Sequence, residues 1–138
     1  MRKGLLVCVM VLPALSVLYW FVPAEPEARQ WLSTNNNQYS ALAGNRFAST
    51  AEALAFVGRL YGAGAVKVTI PRDAIYDDEK RIREEGGAYA DAIVVTLPTE
   101  GSAREVLINI ARQEALARGM AFDPTTDISR NNILIWWD

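Results

Sequence analysis

The sequence predicts an α+β fold: a small two-layer sandwich of the ferredoxin-like βαββαβ type, preceded by an N-terminal hydrophobic helix. Three observations predict it. The stretch from Ser49 to Ile70 reads as a helix, a glycine stop and a strand. Ala92 to Leu97 and Ile133 to Trp137 are two further runs of strand composition. Between them lies a second amphipathic helix, from Ala103 to Ala117 or Arg118. With a short first strand at Asn45-Arg46-Phe47, the order becomes strand–helix–strand–strand–helix–strand. That order places two helices on one face of an antiparallel sheet.

The chain begins with a basic head, Arg2-Lys3, and then runs without a charge from Gly4 to Val22. A basic head stays on the cytoplasmic side, so whatever follows the run is placed on the far side of a membrane. Two readings stay open. Val22-Pro23-Ala24 has the small residues of a signal-peptidase site, with cleavage after Ala24. Against it, the run exceeds a signal core of ~7–15 residues and approaches the ~20 that span a bilayer. Tyr19-Trp20-Phe21 stands where an interfacial aromatic belt would be. Residues 1–24 are therefore a signal peptide or a signal anchor, touching the membrane through residues 4–22 if uncleaved.

Residues 25–44 read as a polar tether, with Asn35-Asn36-Asn37-Gln38 as a low-complexity patch. Trp31, Leu32, Tyr39 and Leu42 stand out from it as residues for a short packed helix or a membrane contact. The domain proper is expected over residues 45–138.

Ser49 and Glu52 form a capping box for the first long helix, whose stripe is Ala53, Leu54, Val57, Leu60 and Tyr61. Gly62 or Gly64 ends it. The period then switches to two: Val66, Val68 and Ile70 point one way, Lys67 and Thr69 the other. Gly62-Ala-Gly-Ala is not a phosphate loop. A dinucleotide fingerprint follows a strand and opens a helix, whereas these glycines close one, at the negative end of its dipole.

Pro71 to Tyr89 is a long connection, with one or two turns of charged helix at Asp77–Glu85 stopped by Gly86-Gly87. Its acidic residues lack Ca²⁺-loop spacing and are neutralised by Lys80, Arg81 and Arg83, so no metal is expected there. The nearly continuous apolar run from Ala92 to Leu97 reads as a central strand. Ser102 and Glu105 form a second capping box, Val106, Leu107, Ile110, Ala111 and Leu116 the buried face of its helix, and Gly119 its stop. In the last strand Ile133, Ile135 and Trp137 alternate with Leu134 and Trp136.

Composition narrows the function. The 138 residues include 16 acidic and 14 basic side chains, the basic ones scattered, so no stripe for nucleic acid is present. Histidine is absent, and the single cysteine, Cys8, lies in the apolar run. Imidazole and thiol chemistry are excluded from the domain, and no cofactor is called for. Leu60-Tyr61-x-x-Gly64-Ala65-x-x-Val68 and the ending Leu134-x-Trp136-Trp137-Asp138 together resemble a group of small bacterial proteins without known activity. The resemblance implies a bacterial source and supports the fold, and it carries no catalytic residue.

These observations point to an extracytoplasmic, membrane-anchored, non-enzymatic interaction module. Its binding face would be the open side of the sheet: Lys67, Thr69, Val94, Thr96, Leu134 and Trp136. A partner protein or a second copy would dock there unless the chain covers it with Ile75, Tyr76 and Ile82, or with Trp31 and Tyr39. Two alternatives stay open: a small-molecule sensor, by analogy of fold, and an enzyme resting on carboxylates such as Asp73, Asp77, Asp91 or Glu100.

Overall fold

The computed structural model describes residues 22–137. The expected N-terminal helix, apart from Val22 to Ala24, lies outside them. The architecture is α+β. A four-stranded antiparallel sheet has the order β1-β4-β6-β5, from Lys67–Thr69 (β1), Ala92–Thr96 (β4), Ile128–Ser129 (β5) and Asn132–Trp136 (β6). Ile75–Tyr76 (β2) and Tyr89–Ala90 (β3) form a separate two-stranded ladder. The helices are Ala28–Ser33 (α1), Thr50–Gly62 (α2), Glu79–Glu85 (α3), Ser102–Ala117 (α4) and Pro124–Asp127 (α5).

The sheet differs from the expected βαββαβ arrangement. That arrangement needs a strand between β4 and β6. Asn45 to Phe47 is instead a turn, entered through Ala43 at φ +45° and closed by the Arg46 and Phe47 N–H groups on the Ala43 carbonyl. The turn aims Phe47 inward, where its ring meets Phe56 at 5.3 Å and Trp137 at 5.5 Å. Burying that ring competes with strand formation, and β6 lies directly against β4 in register from Ala92–Trp136 to Thr96–Asn132.

Residues 25–44 are not a tether. Glu27 bridges to Thr69 and Leu42 to Ala90, so this stretch extends both sheets. Ala28, Leu32, Ala41 and Leu42 are buried. The polar patch is tied down by its own side chains. Asn35 Nδ2 donates to the Ala88 carbonyl, Asn37 Nδ2 to Glu85 Oε2, and the Gln38 N–H to the Glu85 carbonyl.

The local chemistry of the helix ends is mostly as expected. Ser49 Oγ accepts from the Glu52 N–H, while the Glu52 carboxylate accepts from Ala48, one residue before the box position. Gly64 at φ +103° and Gly119 at φ +72° are the left-handed stops. Gly86 stops α3 at φ +84°. The second capping box is corrected: Gly101, at φ +94°, is the N-cap of α4, and Ser102 is the first helical residue with no capping bond. The buried face of α4 is also rotated. Leu107, Ile108, Ala111, Glu114 and Ala115 point inward, whereas Val106 and Leu116 are exposed. Inward Glu114 belongs to this face, where it accepts from partly exposed Arg46 and from buried Trp137. Val66 is likewise exposed, lying before the paired part of β1, while Val68 and Ile70 are buried.

Candidate functional site: the open sheet face and the β6 edge

Cross-strand register assigns the two faces. Val68, Val95 and Ile133 form one row and Ile93 and Ile135 another, all buried. The opposite rows are Thr69–Val94–Leu134, Lys67–Thr96–Asn132 and Ala92–Trp136. The structure thus brings the six expected face residues onto one surface, with unequal accessibility. Leu134 is 59% exposed and Trp136 39%. Lys67 is exposed, and Val94 and Thr96 are half-buried. Thr96 Oγ1 donates to Asn132 Oδ1 at 2.7 Å. Thr69 leaves the site: it is only 7% exposed, lies against Glu27, and donates from Oγ1 to Glu25 Oε2 at 3.2 Å.

Self-cover is partial. The segment after Pro71 folds over the Ala92 end of the face and buries Ala74 and Ala92. It leaves a notch of about 210 Å³ between Asp73, Tyr76, Asp91 and the side chains of Leu134 and Trp136. Tyr76 Oη donates to Asp91 Oδ2 at 2.9 Å. Of the four carboxylates weighed for catalysis, Asp73 and Asp91 share this notch; Asp77 and Glu100 do not line it. Trp31 and Tyr39 do not line it either.

A second groove of about 330 Å³ lies on the other flank of β6. Ala111 and Ala115 of α4 form one wall, Met120 and Phe122 another, and Leu134 to Trp136 run along it. Arg118 also lines it. Its Nε donates to the Glu114 carbonyl at 2.9 Å, and its buried Nη1 has no partner among the described residues. Burial pulls the Arg118 guanidinium below the ordinary arginine value, against the opposing pull of Glu114. The sequence pointed to neither Arg118 nor Met120, because nothing local marks a groove built by a short β5. Asp123-Pro124 opens α5, with Asp123 as its N-cap, so a helix and not a longer strand precedes β5.

Among the described residues no group of three His, Cys, Asp or Glu side chains is placed to hold a metal, and no helix is long and apolar enough to cross a membrane. No protein-family model, curated protein or solved structure matches the chain.

Proposed function

We propose that the chain is a non-enzymatic interaction module, held at the extracytoplasmic face of a membrane by its apolar run and binding through the open face of its sheet. One observation carries the reading: Leu134 and Trp136 remain exposed on the face opposite the buried core rows, where solvent contact of large apolar side chains is unfavourable. Aromatic anchors of this kind dominate interface energetics. The partner is another protein or a second copy of the chain.

The anchor rests on the length of the uncharged run from Gly4 to Val22 behind Arg2-Lys3. Arg72 donates from Nε to the Pro23 carbonyl at 3.2 Å and from Nη2 to the Ala24 carbonyl at 2.7 Å. The Ile70 N–H donates to the Pro26 carbonyl. Residues 23–26 thus lie along the chain at Ile70–Arg72, with Pro23, Ala24 and Glu25 exposed. An alkaline phosphatase fusion after Asp138 should be active, and mass spectrometry should find Met1 or Arg2 at the N-terminus. A mature chain beginning at Glu25 contradicts the anchor.

The binding face is tested by Trp136→Ala in the full chain. The side chain is part-exposed, so its loss should cost about 2 kcal/mol, less than the ~3–5 kcal/mol of a fully buried tryptophan. Sedimentation in detergent should show weakened association with a second copy or with co-purifying protein. Lost stability with unchanged association removes the interface reading.

A further inference from the structure

The outer edge of β6 has a strand beside it for only part of its length. β5 pairs with Asn132 and Ile133, and among the described residues no strand lies alongside Leu134–Trp136. The backbone there has a definite orientation. The Leu97 N–H donates to the Asn131 carbonyl and the Trp137 N–H to the Asp91 carbonyl, so odd-numbered residues turn their polar groups toward β4. By alternation Leu134 and Trp136 turn theirs outward, toward the 330 Å³ groove. Such an edge is a template for another extended chain.

The groove supplies what a strand in that position needs besides backbone. Ala111, Ala115 and Phe122 offer a small apolar recess for one side chain, and Met120 on its rim is exposed. Arg118 lines the groove, and its Nη1 is buried without a hydrogen-bond partner among the described residues, beside Trp137, whose ring lies 6.0 Å from the guanidinium carbon. Asp127, also lining the groove, is already engaged, since its Oδ2 accepts from the Asp123 N–H.

We propose that this groove binds an extended acidic peptide segment of a partner protein by strand addition to β6. The segment hydrogen-bonds along the Leu134–Trp136 edge, places an apolar side chain against Ala111, Ala115 and Phe122, and sets a carboxylate on Arg118. Main-chain bonds then give affinity, and the recess and the guanidinium give specificity. The proposal deepens the interaction-module reading, on which it rests through Leu134 and Trp136. It does not depend on the anchor.

The test is selection of a displayed library of random nine-residue peptides on the full chain in nanodiscs, followed by titration of the enriched peptide in synthetic form. Enriched peptides should carry an acidic residue next to alternating apolar ones. Affinity should fall tenfold or more on Arg118→Met, and by a similar factor when the peptide's carboxylate becomes an amide, without adding when both are changed. N-methylation of alternate peptide nitrogens should abolish binding, since it removes the edge hydrogen bonds. Arg118→Lys, which keeps the charge, should bind better than Arg118→Met, and this ranking separates recognition from a folding defect. No enrichment over empty nanodiscs overturns the proposal, as does a peptide indifferent to Arg118→Met or to N-methylation. If Trp136→Ala still weakens association in that case, only strand addition falls; if it does not, the interaction-module reading falls with it.

Discussion

Glu114 is the most informative residue to remove. It is only 7% exposed, yet it carries three charge-assisted contacts. Arg46 donates to it twice, from Nε and Nη2 at 3.0 Å each, and Trp137 donates from Nε1 at 3.0 Å. Phe47, Phe56 and Trp137 pack around this network with ring centroids 5.3–5.9 Å apart. Glu114→Ala leaves the buried Trp137 N–H without an acceptor, at about 1–3 kcal/mol. It also frees Arg46, which is partly exposed and rehydrates, so the ion-pair loss stays near ~1 kcal/mol. The expected total is about 2–4 kcal/mol, read as a lower urea midpoint at unchanged slope. Glu114→Gln keeps an acceptor for Trp137 and should recover about half. The pH dependence has a definite sign. Burial pushes the Glu114 carboxyl up, but the hydrogen bonds from Arg46 and Trp137 outweigh it and hold the group below its ordinary value near 4.5. A depressed acid contributes stability above its unfolded pKa and loses it as the pH falls through the folded one. The wild type should therefore lose stability below about pH 4.5 more steeply than Glu114→Gln. A loss under about 1 kcal/mol on Glu114→Ala would refute the reasoning, because it would mean the network makes no net contribution.

Other substitutions test the fold. Gly64→Ala should cost more than the ~1 kcal/mol of positive φ alone, because the new Cβ would stand 2.7 Å from Ala103 Cβ; denaturation reads it. Gly87→Ala should be at least as damaging, since a Cβ there meets Asn35 Oδ1 and the Asn37 N–H, each at 2.5 Å, so this glycine is no relaxed loop residue. Tyr61→Phe removes a hydroxyl that donates to Glu27 at 2.6 Å and accepts from the Val68 N–H at 3.0 Å. It should cost about 1–2 kcal/mol by chemical denaturation. Millimolar Ca²⁺ should leave the melting temperature unchanged, because Glu85 is already paired with Arg81 at 2.7 Å and with Asn37.

What could be read from the sequence was what local chemistry decides. Ser49, Gly64, Gly86 and Gly119 act within a few residues of themselves, and period-two alternation separated Leu134 and Trp136 from Ile133, Ile135 and Trp137. Features set by distant partners were not legible. Asn35 to Gln38 looks like a linker by composition, yet its amides reach Glu85 and Ala88, some fifty positions away. Glu114 reads as a surface residue until Arg46 and Trp137 arrive from other elements. The strand order turned on whether Phe47 extends or folds inward, which the aromatic cluster decides.

The central claim, that the exposed side of β6 is a binding surface, is tested most directly by a photo-crosslinking amino acid placed at Trp136 in the full chain. The same group at Val106, exposed on α4, serves as the control. In native membranes the Trp136 position should give one discrete adduct that the Val106 position does not give, and the adduct should disappear on Leu134→Arg with the melting temperature maintained. No adduct at Trp136, or the same adducts from both positions, would contradict the claim.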